Sequence, residues 1–151
     1  MKHFALALGA AILTAGTAQA DEGAVPPVTV TVEDSFDNVA FAIESSIIGK
    51  GLVVDHLSHT GDMLERTKKD VGATRTLYTH ADIYSFCSAT VSRQAMEANI
   101  ENVQYCPYAI FLYERPEAPG KIVVGHAKYP GKSMAPVNKL LDDIIADAVG
   151  N

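Results

Sequence analysis

The chain has 151 residues, with 12 Lys and Arg against 18 Asp and Glu and a formal net charge of −6. Nucleic acid and anionic lipid both need a basic face, so neither is an expected partner. The acidic residues are scattered rather than run together, which is the pattern of a solvated globular surface and not of an acidic tail.

The chain opens with a positive Met-Lys-His start, an uncharged apolar run from Phe4 to Gly16, and an Ala-x-Ala pattern ending at Ala20. This predicts a secretory signal over residues 1–20 with cleavage after Ala20. The run of about 13 residues is too short to span a bilayer, and no later stretch reaches about eighteen. The expected product is a periplasmic or secreted protein, free of the membrane once the signal is removed. Residues 21–27 then form a flexible lead, and residues 28–151 suit one domain.

Val28 to Glu33 alternates β-branched and polar residues and predicts a strand with one buried face. Phe36, Val39, Ala40, Ile43 and Ile47 recur at helical spacing, with Gly49 and Gly51 closing the helix. Leu52-Val53-Val54 resumes a strand that runs into Asp55-His56-Leu57-Ser58-His59. Asp62 and Glu65 read as a capping box for a short helix through Lys69. Thr76 to Ala89 predicts a third strand, with Ile83, Ser85 and Cys87 on one face and Tyr84 and Phe86 on the other. Val91 to Asn99 predicts a helix with Ala95 and Ala98 inward. Pro107–Glu114 and Lys121–Lys128 form a hairpin about a Pro- and Gly-containing turn. Val137, Leu140, Leu141, Ile144, Ile145 and Ala148 make one stripe of a final helix. This order predicts a single compact α+β domain, with a mostly antiparallel sheet and helices packed on one face.

Cys87 and Cys106 are the chain's two cysteines. Export to an oxidising compartment favours a disulfide, and the loop closed would be worth about 3 kcal/mol in the chain-entropy model. Two buried thiols, a redox-cycling pair and soft ligands for a metal are the alternatives. The absence of Cys-x-x-Cys argues against a thioredoxin-like site.

His56 and His59 form a His-x-x-His at a strand end, with Met63 close in sequence. Extended backbone turns the two rings to opposite faces, and a turn after Ser58 would let them converge. Imidazole with thioether suits copper or a haem iron, so His56, His59 and Met63 are the candidate metal ligands. His56 is the first choice. His126 shares a strand face with Ile122 and Val124, which predicts a core histidine or one lining a ligand pocket. The missing Cys-x-x-Cys-His excludes covalent c-type haem by motif. Hydrolase, zincin and nucleotide-loop motifs are also missing, so no catalytic residue is assigned.

Ser35-Phe36-Asp37-Asn38-Val39, Gly51-Leu52-Val53-Val54-Asp55-His56, and Cys106 to Glu114 followed by Lys121 to Val124 resemble, in this order, the bacterial domain of unknown function 302 family. The resemblance covers most of residues 28–149. It implies a compact α+β fold with a TATA-binding-protein-like arrangement, often as a homodimer, and it implies no enzyme activity. Tyr84 to Ala89 replaces the Gly-Asn-Pro-containing stretch of many members, so a pocket built there would differ. Asp55-His56 alone carries over as a site.

Three functions are therefore expected, in order. The first is an exported module binding a metal or non-covalent haem without turnover, through His56, His59 and His126. The second is a thiol–disulfide redox accessory protein using Cys87 and Cys106. The third is a structural or interaction dimer with a structural disulfide.

Overall fold

The structure, a computed structural model, describes residues 25–150. The expected signal over residues 1–20 lies outside the described residues, as do residues 21–24 of the lead and Asn151.

The described residues form five strands and four helices, alternating up to the β4–β5 hairpin: β1 (Val28–Glu33), α1 (Phe36–Gly49), β2 (Val54–Ser58), α2 (Thr60–Thr67), β3 (His80–Phe86), α3 (Ala89–Ala98), β4 (Tyr108–Glu114), β5 (Lys121–His126) and α4 (Ala135–Val149). Short 3-10 segments, Ile100–Tyr105 and Lys132–Met134, precede β4 and α4. The sheet runs β1-β5-β4-β3-β2, and every neighbouring pair is antiparallel. This is a single α+β domain. Val39, Ile43 and Ile47 of α1, Ala95 of α3 and Val137, Leu141, Ile144 and Ile145 of α4 pack on one sheet face. That face supplies Tyr84, Phe86, Tyr108, Ile110, Leu112, Ile122 and Val124.

The hydrophobic stripes placed α1 and α4 correctly, since burial drives most helix formation in proteins. Ser35 caps α1 by accepting from the Asn38 N–H at 3.3 Å. Differences arise where pairing or packing overrides the local pattern. The third strand begins at His80 rather than Thr76, because His80 pairs with Glu114, the last residue of β4. It ends at Phe86 because Ser88 caps α3, accepting from the Val91 N–H at 3.4 Å. Helix α3 therefore starts at Ala89, and Ala98, expected inward, is exposed. Strand β2 likewise begins only at Val54, and Val53 is exposed.

The capping box expected at Asp62 and Glu65 does not form. Helix α2 starts earlier, at Thr60, with His59 at the cap and no side-chain capping bond. Glu65 instead binds Lys68 and Thr76, and these contacts hold its carboxyl below the usual range. The start of α2 is fixed by close approach. Gly61 is buried, and a Cβ there would lie 2.6 Å from the Ala81 nitrogen of β3. Only a glycine lets the helix leave the sheet edge at this distance.

Candidate functional site

Three groups of residues carry the chemistry expected from the sequence, and the fold sends them to different places. The first is the cysteine pair. Phe86 and Tyr108 are paired at one end of the β3–β4 ladder, so Cys87 and Cys106 emerge side by side. Their sulfurs are bonded, with the Cα atoms 6.4 Å apart, and the Cys106–Pro107 peptide is cis. The bond closes the segment that holds α3. Both cysteines are half-buried. Ser92, in the first turns of α3, lies with its hydroxyl 3.9 Å from the Cys106 sulfur and accepts a hydrogen bond from the buried Tyr108 hydroxyl at 3.0 Å. Tyr129 packs at a tilt against Tyr105 and edge-on against Tyr108 around this corner, at centroid separations of 5.3 and 5.9 Å. Burial raises the Tyr129 hydroxyl above its ordinary pKa.

The second group lies on the covered face. His126 is fully buried. Its Nδ1 lies 2.8 Å from the Ala127 carbonyl and its Nε2 lies 3.0 Å from Asp142 Oδ1 on α4. Both ring nitrogens therefore face protein acceptors. His59 reaches the same side of the sheet from the end of β2, and its Nδ1 lies 2.8 Å from Asp82 Oδ1. Asp82 sits on the β3 face shared with Tyr84 and Phe86 and is 8 % exposed. A carboxylate in that position needs a partner, and His59 is that partner. Burial first, then the carboxylates of Asp82 and Glu44, push the Tyr84 hydroxyl up to about 12.

The third group lies on the opposite sheet face, where no described helix packs as α1 and α4 do on the first. The register aligns His56 with Ser85, Ser58 with Ile83, Ile83 with Phe111, and Phe111 with Gly125. Strand alternation puts all of these, with Ala81, Tyr113 and Val123, on one face. A groove of about 330 Å³ lies there, lined by Tyr78, Ala81, Ile83, Phe111 and Tyr113 together with Thr60 and parts of Asp82 and Leu112. Such a volume falls at the small end of ligand sites, about 300–1,000 Å³. Gly125 keeps the floor flat: a Cβ there would lie 2.8 Å from Phe111 Cζ and 2.8 Å from Thr29 Cγ2. His56 is exposed on this face. It lies roughly 7 Å along the sheet from the groove, two residues at the rise of a strand.

The expected ligand set of His56, His59 and Met63 is thus not brought together. The turn comes one residue too late. His59 is still at the strand end, so its ring faces Asp82 while the ring of His56 faces the other side. Met63 is 42 % exposed on α2. Among the described residues, no cluster of three or more His, Cys, Asp or Glu side chains is placed to hold a metal ion.

A family model described as a domain of unknown function, DUF302, matches residues 28–150. The chain belongs to this family. A crystal structure of an uncharacterized conserved DUF302 protein from Bacillus stearothermophilus has a similar fold, with a TM-score of 0.58 and 16 % sequence identity. The match covers 82 % of this chain and 95 % of that one, and at this identity it speaks for the fold alone. No curated protein matches the chain.

Within this DUF302 domain, sequence reasoning missed Asp82, Ser92 and Tyr108 as members of polar constellations. Asp82 had a readable signal. Extending the Tyr84–Phe86 face by one step puts a carboxylate on a core face, and that demands a partner elsewhere. Ser92 had none, since its approach to Cys106 depends on how α3 folds back over the disulfide.

Proposed function

We propose that the chain is an exported binding module without turnover, whose seat is the uncovered sheet face and whose ligand is non-covalent haem. One observation carries this reading. An apolar, aromatic groove and an exposed histidine, His56, share the sheet face opposite α1, α3 and α4, which only the first turn of α2 borders. A flat macrocycle needs an apolar surface for its rings and one imidazole for its iron. A copper site would need several imidazole or sulfur donors converging on one point. The separation of His56 from His59 and Asp82 supports haem over copper on that ground. Ile83, Phe111 and Tyr113 would hold the macrocycle, and the His56 imidazole would bind its iron. Export is supported by the signal pattern of residues 1–20.

Titration of hemin into the mature protein tests this. The expected result is a Soret shift that saturates at one haem per chain and is lost in His56→Ala. A shift unchanged in His56→Ala would overturn the assignment of the axial ligand, and no shift at all would overturn the haem reading.

The same uncovered face favours a second reading, pairing with another copy of the chain through the sheet. Sedimentation of the protein without hemin distinguishes the two. A dimer that excludes hemin would replace the binding reading with an interaction role.

A further inference from the structure

We propose that the Cys87–Cys106 bond is a thiol–disulfide exchange site for a dithiol partner, with Cys87 the sulfur attacked and Cys106 the leaving thiolate. The direction of the hydrogen bonds around the bond carries this inference. A disulfide sulfur has no proton, so in the 3.9 Å contact between Ser92 and Cys106 the hydroxyl is the donor. The Tyr108 hydroxyl donates to Ser92 Oγ at 3.0 Å, which leaves the Ser92 proton free to point at sulfur. The relay from Tyr108 through Ser92 therefore ends on Cys106. It is held by rigid parts: Tyr108 is fully buried and opens β4, and Ser92 lies in the first turns of α3.

This arrangement suits a sulfur that becomes an anion. A hydroxyl that donates weakly to a neutral sulfur donates strongly to a thiolate, and charge-assisted hydrogen bonds are about twice as strong as neutral ones. The N-terminus of α3, which begins two residues after Cys87, adds positive potential at this corner without favouring Cys106, so the relay alone distinguishes the two sulfurs. Exchange is faster when the departing thiol has the lower pKa. The relay therefore selects the bond polarity: an incoming thiolate attacks the Cys87 sulfur, and Cys106 departs with the electron pair.

The chemistry balances with a dithiol as reductant. The first partner thiolate forms a mixed disulfide with Cys87 and breaks the Cys87–Cys106 bond, releasing Cys106 as a thiolate. The second partner thiolate attacks the partner sulfur of the mixed disulfide and releases Cys87. The partner ends oxidised by two electrons, and Cys87 and Cys106 end as thiols that take up two protons. Both cysteines are half-buried residues rather than enclosed ones, which leaves this corner open to a small thiol or a protein segment. This site is separate from the sheet face proposed to bind haem and does not depend on it.

The test uses the oxidised mature protein under native conditions. Its reduction by dithiothreitol is timed, and its mixed disulfide with glutathione is acid-quenched and mapped by peptide mass spectrometry. The expected result is exchange at a rate unconnected with global unfolding and glutathione found on Cys87. In Ser92→Ala the rate should fall about tenfold, as expected for losing one hydrogen bond to a charged group, with an unchanged circular dichroism spectrum. Tyr108→Phe should slow it less. Glutathione on Cys106, exchange only at the unfolding rate, or an unchanged rate in a folded Ser92→Ala variant would each overturn the proposal. If Ser92→Ala does not fold, the position of glutathione in the wild-type protein decides.

Discussion

The two faces of the sheet use the same kinds of residue to opposite ends. On the covered face two histidines hold carboxylates, His126 with Asp142 at 3.0 Å and His59 with Asp82 at 2.8 Å, while His80 at the outer end of β3 stacks on Phe36 at 4.9 Å. On the open face His56 stands exposed beside aromatic and aliphatic side chains. His126 and Asp82, buried on the covered face, must be satisfied from within the protein, because leaving one unpaired costs about 1–3 kcal/mol; the His59 ring that serves Asp82 is itself 59 % exposed. A polar group exposed on the open face can be satisfied by water and exchanged for a ligand. The difference separates histidines committed to the fold from one available for function, and it can be tested on stability.

The largest effect should come from His126→Ala. It removes a fully buried side chain and leaves a cavity between β5 and α4, while its former partners, Ala127 and the 55 % exposed Asp142, remain open to water. We expect a loss of about 2–4 kcal/mol in urea unfolding. The hemin titration should keep its midpoint, because the ring faces away from the groove. A loss below about 1 kcal/mol would show that the covered face does not depend on this pair. Next is Gly125→Ala on the open face. The added methyl would press on the Val28 carbonyl, Phe111 and Thr29 at once. Overpacking of this kind costs about 1–3 kcal/mol. Because the shift would tilt Phe111, this variant should also weaken hemin binding. Unchanged binding with lowered stability would place the ligand away from Phe111.

How far these faces were legible in the sequence depended on the range of the interactions. The stripe from Val137 to Ala148 and the alternation of Val28 to Glu33 are local patterns, and both elements formed where expected. The hairpin of β4 and β5 was legible for the same reason. The ends of β3 were not, because His80 pairs with Glu114 and Phe86 with Tyr108, partners in β4 that are 34 and 22 residues away. The burial of His126 followed from its neighbours Ile122 and Val124, whereas its partner Asp142 reads locally as one more acidic residue on the exposed side of α4. His56 and His59 could be read as divergent on a strand or convergent in a turn. The close contact of Gly61 with β3 fixes where that turn starts, and no local pattern reports it.

A smaller effect is expected from Tyr84 at alkaline pH. The folded protein holds its hydroxyl at about 12, above the ordinary value of 10.0. A group whose folded pKa is raised contributes stability that is whole below the unfolded value and is lost as pH climbs through the folded one. Stability should therefore fall between pH 10 and pH 12, by about 1 kcal/mol at pH 11 from this group. Tyr84→Phe should show a shallower fall over that window than the wild-type protein. Equal slopes in the two proteins would mean that ionisation of Tyr84 is not coupled to folding.

The smallest effect on stability should belong to His56→Ala. The side chain is exposed, it fills no cavity, and surface substitutions of this kind usually stay within about 0.5 kcal/mol. His59→Ala is the control on the adjacent strand end. It leaves Asp82 buried without its histidine and should cost more, about 1 kcal/mol, while leaving the Soret shift in place. The two variants differ by three positions in sequence and by one face of the sheet. If stability follows His59 and the hemin spectrum follows His56, the two faces divide folding from binding as argued. If one variant loses both, the faces are coupled through β2, and the histidine on the open face is part of the fold after all.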